Sequence, residues 1–296
     1  MHLVRLIEKL RARGYRFVTV TPASHARVLA RPDRREARDL ADVLGWSLPF
    51  APGTIDAELL DLLEAADAVE PAGSGLLRAK LRASTRKGEI FLHSAYPTDQ
   101  PDSVFFGPDS YRFADLIEAE LGDAERIVDI GTGAGVGAIV AGKLCPGARI
   151  AMTDVNPAAL RLARANAEAA GVEVEAVESA DLAGVDGPID VALANPPYII
   201  DDSDRAYRDG GGMLGAQVSL DMAKMATARL APGGRLILYT GSAIVDGHDA
   251  LREALAALGC ALRYRELDPD VFGEELEKLA YARVDRIALV AAILTR

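Results

Sequence analysis

Val128-Asp129-Ile130-Gly131-Thr132-Gly133-Ala134-Gly135 decides the fold. A short apolar run over 126–130 enters a turn with glycine at every second position and leaves as an apolar helical segment over 136–144. Strand, glycine turn, helix is the opening unit of a ligand-binding α/β sheet, because glycine lets the backbone approach a ligand where a Cβ would clash. The spacing is G-x-G-x-G, which only approximates the dinucleotide fingerprint G-x-G-x-x-G. No G-x-x-x-x-G-K-[ST] phosphate loop occurs anywhere in the chain, which argues against an NTPase. Taken alone, the turn has two readings, a ligand cradle or a tight strand–helix connection.

Working outward, the same alternation continues. Strand-like runs fall at 126–130, 149–153, 173–177, 191–194 and 235–239, with two late ones near 262–266 and 286–294. Helical segments fall at 110–121, which stops at Gly122, and at 136–144, 157–170 and 217–230. Such βα alternation predicts an α/β fold with a mostly parallel sheet covered by helices on both faces. The first hundred residues read differently. Leu3, Leu6, Ile7 and Leu10 recur at helical spacing before Gly14. Further helices are expected from near Asp33 to Leu44 and from Thr54 through Leu59, Leu60, Leu62 and Leu63. Residues 76–83 and 89–95 read as one hairpin around Arg86-Lys87-Gly88. This predicts a small, mainly helical α+β domain over 1–100, joined through a Pro- and Asp-rich linker to a larger domain over 101–296.

Composition bounds the function. The chain has 296 residues, half of them hydrophobic and 26% charged, a balance that supports two globular domains. Its two cysteines, Cys145 and Cys260, cannot build a disulfide framework. No apolar run approaches the ~18 residues of a membrane span, and the N-terminus has no signal-peptide core. Membrane, secreted and fibrous classes are excluded, and a cytoplasmic location is expected. His2, His25, His93 and His248 show no metal-ligand spacing, so no metal is assigned. The net charge of −11 is uneven: residues 1–100 carry 15 Lys and Arg against 13 Asp and Glu, and the remainder 18 against 31. An acidic body does not favour a phosphate backbone. Arg78, Lys80, Arg82, Arg86 and Lys87 still form a dense basic stretch, which reads either as a solvated hairpin face or as an RNA-docking surface.

Three loops carry candidate chemistry. Asp154, in Thr153-Asp154-Val155-Asn156-Pro157, puts a carboxylate at the end of the second strand, where it can accept both hydroxyls of a ribose. Its other reading is a solvated acid beside an ordinary helix cap at Asn156. Asp181, in Ser179-Ala180-Asp181-Leu182, either reaches an adenine amino group or is a surface acid. Ala194-Asn195-Pro196-Pro197-Tyr198 ends the fourth strand. Its two prolines stiffen the backbone and remove two N–H donors. The Asn195 amide oxygen and the Pro196 carbonyl can then hold the two hydrogens of one planar NH₂ group, and Tyr198 offers a flat face beside it. A plain turn needs none of this. The loop 205–215, with Gly210-Gly211-Gly212, suits a substrate-binding lid or a bland connection.

Together, the glycine turn from Asp129 to Gly135, Asp154 and Asn195-Pro196-Pro197-Tyr198 resemble the class I S-adenosylmethionine-dependent methyltransferases that act on planar nitrogens. The helical N-terminal module, the hairpin and Asn-Pro-Pro-Tyr-Ile resemble, within that class, the HemK-like release-factor glutamine methyltransferases. That family's P-R-x-E-T-E segment is replaced here by Phe106-Gly107-Pro108-Asp109-Ser110-Tyr111-Arg112. The resemblance implies a Rossmann-like sheet, parallel except for an antiparallel last strand, with S-adenosyl-L-methionine as cofactor. It implies that Asp129, Gly131, Thr132, Gly133 and Gly135 line the methionine and ribose part, that Asp154 takes the ribose hydroxyls, and that Asp181 and Leu182 meet the adenine. Phe106 and Tyr111 would close over the cofactor, while Asn195, Pro196, Pro197 and Tyr198 would hold the acceptor. The implied acceptor is a protein glutamine side chain, brought by the N-terminal domain. The alternatives are an amino group of an RNA base and a small molecule.

Overall fold

In the computed structural model, residues 1–201 and 207–296 are described. The first hundred residues fold as α1 (His2–Ala12), α2 (Pro22–Leu29), α3 (Leu40–Leu44) and α4 (Ala57–Ala65). Two antiparallel hairpins follow, β1 (Val69–Gly73) with β2 (Leu76–Ala79) and β3 (Leu81–Arg86) with β4 (Glu89–Ser94). Helix α1 forms as its spacing predicts and buries Leu3, Leu6, Ile7 and Leu10. Three features differ from the sequence reading. Helix α2 was not anticipated, although Thr21 caps it by accepting from the Ser24 amide and Pro22 takes its first turn; its apolar stripe is too short to show as a period. The helix expected from Asp33 is confined to α3, because 33–38 offers only Ala37 to the core. Arg34 and Arg38 there turn instead onto the buried Asp42 carboxylate. The run expected as one strand over 76–83 breaks at Lys80, whose amide donates to Ala68 and whose ammonium pairs with Asp67 at 2.9 Å. One hairpin becomes two.

The larger part continues with α5 (Pro108–Glu120), β5 (Arg126–Ile130), α6 (Val136–Leu144), β6 (Arg149–Asp154), α7 (Pro157–Ala170), β7 (Glu175–Glu178) and β8 (Ile189–Ala194). Then come α8 (Gln217–Arg229), β9 (Leu230–Val245), β10 (His248–Asp249), α9 (Ala250–Ala256), β11 (Ala261–Asp268) and β12 (Arg286–Thr295). The main sheet runs β7-β6-β5-β8-β9-β12-β11, with the short β10 paired to β9. Strands β5 to β9 run parallel to one another, and β12 is antiparallel to both β9 and β11. The expected α/β class and antiparallel last strand are therefore present. That last strand lies inside the sheet, with β11 at the edge.

Alternation along the strands divides the core. Ile127, Val191, Leu193, Ile237 and Tyr239 face one helical layer. Val128, Ile130, Ala192, Ala194, Leu236 and Leu238 face the other, under α8 and α9. The first cluster runs on without a break into Leu6, Ile7, Leu10, Phe91 and Phe106. The N-terminal segment thus packs on the layer that carries α7. Asn166 of α7, fully buried, receives the Leu92 amide of β4 at 2.9 Å and donates to the Leu92 and Ala134 carbonyls at 3.0 and 2.9 Å. One side chain therefore ties the outer edge of β4 to the glycine turn.

The basic stretch of the second hairpin is largely neutralised from within. Arg86 pairs with Asp115 at 2.6 Å and Glu118 at 3.0 Å, Lys87 pairs with Glu118 at 2.5 Å, and Arg82 is buried with its Nε donating to the Ser94 carbonyl. Among the described residues, no helix is long and apolar enough to cross a membrane.

Candidate functional site

The strand order reverses between β5 and β8, and in open parallel sheets ligands bind at the carboxyl ends of the strands beside such a point. A cavity of about 430 Å³ lies there. Its wall is built from Asp129, Gly131, Thr132 and Gly133 after β5, Asp154 at the end of β6, Ser179 and Ala180 after β7, and Asn195, Pro196 and Pro197 after β8. The segment before α5 contributes Val104 and Phe105, and Tyr207, Asp209 and Met222 close the remaining side.

The carboxylates at this cavity are held by backbone. Asp129 is buried and accepts from the Thr132 hydroxyl and from the Ala138 amide at 2.9 Å. A Cβ at Gly137 would stand 2.4 Å from the Asp129 Oδ1, so the first turn of α6 must carry glycine there for the carboxylate to fit. Burial pushes the Asp129 carboxyl up to about 6. Asp154 accepts from the Asn156 amide through Oδ1 and from the Gly133 amide through Oδ2, both at 2.9 Å. It too is raised by burial. Asn156 caps α7 by accepting from the Ala158 amide. The helix cap expected at Asn156 is therefore present, and the Asp154 carboxylate beside it lines the cavity.

The segment after β8 divides. Asn195, Pro196 and Pro197 line the cavity, but Tyr198 does not. Its buried ring packs so closely on β9 that a Cβ at Gly241 would come within 2.2 Å of it, and its hydroxyl donates to Asp109 Oδ2 at 3.0 Å. The flat face expected beside the acceptor thus lies behind the wall. Arg205, where the expected lid begins, lies outside the described residues. Its described part is packed: the Gly210 amide donates to the Ile199 carbonyl at 2.8 Å, and a Cβ on Gly210 would collide with the Gly215 carbonyl.

The other expected residues fall around the cavity without forming its wall. Gly135, at φ +83°, sits at the start of α6, where its Cα approaches α7 so closely that a Cβ would lie 3.2 Å from Ala163. Asp181 is exposed and accepts from the Ser179 hydroxyl and the Ala183 amide, which hold its carboxyl low. Leu182 is buried with Val128 on the α8 side. Phe106 is buried, stacked on Phe91 and His93 and edge-on to Tyr111, whose hydroxyl accepts from the Thr19 amide. Phe105, not Phe106, lines the cavity, its ring parallel to Tyr207 with centroids 5.7 Å apart. Extended backbone sends successive side chains to opposite sides, so Phe105 lines the cavity while Phe106 is buried behind it. Among the described residues, no group of three or more His, Cys, Asp or Glu is placed to hold a metal ion.

An open α/β sheet with a glycine turn, a carboxylate at the next strand end and a cavity at its switch point defines a small-molecule-binding Rossmann-like protein. The family model described as methyltransferase small domain matches residues 111–261, and the chain belongs to that family. A release factor glutamine methyltransferase of Deinococcus radiodurans is 36% identical over 171 residues, covering 54% of this chain and 59% of that protein. One of Moorella thermoacetica is 34% identical over 175 residues, covering 54% and 60%. The chain thus spans about three fifths of the length of these relatives. A solved T. Thermophilus 16S rRNA N2 G1207 methyltransferase, in complex with AdoMet and guanosine, aligns over 84% of this chain and 64% of its own, at 15% identity and a TM-score of 0.49.

Proposed function

We propose that this chain transfers the methyl group of S-adenosyl-L-methionine to a planar NH₂ nitrogen, and that the acceptor is a protein glutamine side chain. One observation carries the reading: residues 195–197 share a single cavity with Asp154 and the glycine turn. The residues present suit the cofactor. The volume lies in the ~300–1,000 Å³ range of small-molecule sites. Asp154 offers two acceptor oxygens for a ribose diol. The charged residues of the wall are Asp129, Asp154, Asp209 and Asp221, with no Lys or Arg among the described ones, which matches a ligand bearing sulfonium and ammonium charges. When bound, S-adenosylmethionine supplies an electrophilic methyl on a neutral leaving group.

The chain's own residues then bind, orient and shield. The Asn195 side chain makes no hydrogen bond to another described residue and is free to receive an N–H. Pro196 and Pro197 hold the backbone so that its carbonyl accepts the second N–H, which fixes where the nitrogen lone pair points. Orientation of this kind can supply ~7–11 kcal/mol of a barrier. Hydrogen bonds to N–H groups strengthen as positive charge grows on the nitrogen, so they favour the transition state over the bound substrate; after transfer the methylated nitrogen sheds one of these N–H protons to water and the neutral amide is restored. Residues 1–100 act in this reading as the acceptor-docking domain and 101–296 as the transferase domain.

A protein acceptor is favoured over RNA by two features. The basic hairpin spends Arg86 and Lys87 on carboxylates of α5, and among the described residues the cavity wall carries only acidic charge, whereas RNA binding rests on cations that neutralise phosphates. The similarity to release factor glutamine methyltransferases supports the same choice. The test is transfer from labelled S-adenosylmethionine into a cell extract that is then split between protease and RNase. Label released by protease and recovered as N-methylglutamine is the expected result. Label released by RNase, or label in the small-molecule filtrate, overturns the protein acceptor.

A further inference from the structure

We propose that Asp109 is a positioning residue for the acceptor-holding segment and acts through Tyr198; its kinetic consequence rests on the reading above. Asp109 lies in the first turn of α5, after Pro108, where the partial positive charge of a helix start favours a carboxylate. Its two oxygens are divided between two phenols. Oδ2 accepts from Tyr198 at 3.0 Å, and Oδ1 accepts from Tyr239 of β9 at 2.9 Å. The nearby Arg112 pairs with Asp268 at 3.5 Å, so Asp109 is held by hydroxyl donors and not by an ion pair.

The arrangement places a junction directly behind the cavity wall. Ser110 and Phe113, on the same helix as Asp109, line the cavity, and so does Pro197, the residue before Tyr198. Three contacts hold Tyr198. Its ring lies against Gly241 of β9 and edge-on to Phe272 at 5.8 Å, and its hydroxyl is held by Asp109. A ring held by packing on its face and a hydrogen bond at its hydroxyl is restrained, and the peptide before it inherits that restraint. Asn195 and Pro196 then present their oxygens along a fixed direction. The tyrosine of the motif, in this chain, serves as an anchor driven into the wall, and Asp109 receives it. A carboxylate suits the task because it accepts from both phenols at once, whereas an amide must turn a donor toward one of them.

The experiment uses the full chain and compares Asp109→Asn, Tyr198→Phe and the double variant. Hydrogen exchange reads the positioning itself and needs no turnover. Each single variant should speed exchange of the backbone amides of 198–201 at least tenfold, with β5 and β6 unchanged. Kinetics reads the consequence: each should lower kcat at least tenfold while KM for S-adenosylmethionine stays within twofold, and the double variant should be no slower than the worse single one. Tyr198→Phe keeps the ring and removes only the hydroxyl, so it decides the matter even if Asp109→Asn does not fold. Unchanged exchange at 198–201 in Tyr198→Phe overturns the positioning role, whatever the enzyme methylates. Multiplying losses in the double variant would also overturn it, since Asp109 would then act independently of Tyr198. A wild-type chain that methylates no amide, with exchange responding as expected, would count against the acceptor reading alone.

Discussion

Asn166→Ala is the substitution whose cost can be worked most directly from the structure. The side chain is fully buried and satisfies three backbone groups, the Leu92 amide, the Leu92 carbonyl and the Ala134 carbonyl, at 2.9 to 3.0 Å. Truncation leaves all three without a partner. A buried polar group stripped of its partner costs about 1–3 kcal/mol, and carbonyls with a second lone pair fall at the lower end. The sum is about 3–5 kcal/mol, a large share of the ~5–15 kcal/mol that holds a typical domain. Asn166→Asp sharpens the test. It preserves shape and the bond from the Leu92 amide, but turns an oxygen toward two carbonyls, so it should be at least as destabilising as alanine. The assay is urea denaturation followed by two probes. Trp46 is the single tryptophan and packs against Phe17 and His25, so its fluorescence reports the N-terminal segment, while circular dichroism reports the whole chain. The expected result is a loss of at least 2 kcal/mol, with the Trp46 transition moving to lower urea. A loss below 1 kcal/mol in Asn166→Ala, or an aspartate tolerated better than alanine, would refute the reasoning.

Three further outcomes are expected. Asn195→Ala should cut turnover by ~10²–10³, the scale of losing an oriented transition-state partner, with S-adenosylmethionine affinity by calorimetry within twofold of wild type. Asp154→Ala should do the reverse, weakening cofactor binding at least tenfold and lowering the melting temperature, because the Gly133 and Asn156 amides lose their acceptor. Asp129 sets a pH dependence of stability. Its carboxyl is raised by burial to about 6, against about 3.9 in an unfolded chain. The folded state therefore holds this proton longer, and the stabilisation is fully present below pH ~4 and lost as pH rises through ~6. Unfolding free energies measured from pH 4 to 6.5 should fall less steeply in Asp129→Asn than in wild type; equal slopes would contradict this assignment.

The α/β part of the fold was legible because its signals are local. Strands of five or six apolar residues, glycine at the turn and proline at the start of α7 lie within a few positions of one another. So was the meeting of Asp154 and residues 195–197 at one cavity, since both stand at the carboxyl ends of parallel strands. What escaped was set by partners distant in sequence. Tyr198 read as a stacking face because its acceptor, Asp109, lies 89 residues upstream. Asn166 looked like an ordinary helix residue because Leu92 is 74 positions away. Phe105 and Phe106 exchanged places because two adjacent aromatics give no sign of which faces inward. The helix expected from near Asp33 starts only at Leu40, because the buried Asp42 carboxylate gathers Arg34 and Arg38.

The internal position of β12 has a consequence for how the chain comes to be folded. Strands β9 and β11 do not touch; each pairs with β12, which runs antiparallel between them. During synthesis, the long β9 therefore emerges with one side open, and nothing made before residue 286 can close it. A strand of sixteen residues carrying Leu236, Ile237, Leu238 and Tyr239, open along one side, is the kind of edge on which neighbouring chains pair. The nascent protein passes through a window in which its aggregation hazard is highest, and the window shuts only when its final strand arrives. Translation speed across 246–295, and chaperone occupancy over that interval, should then govern soluble yield more strongly than conditions applied to the finished protein.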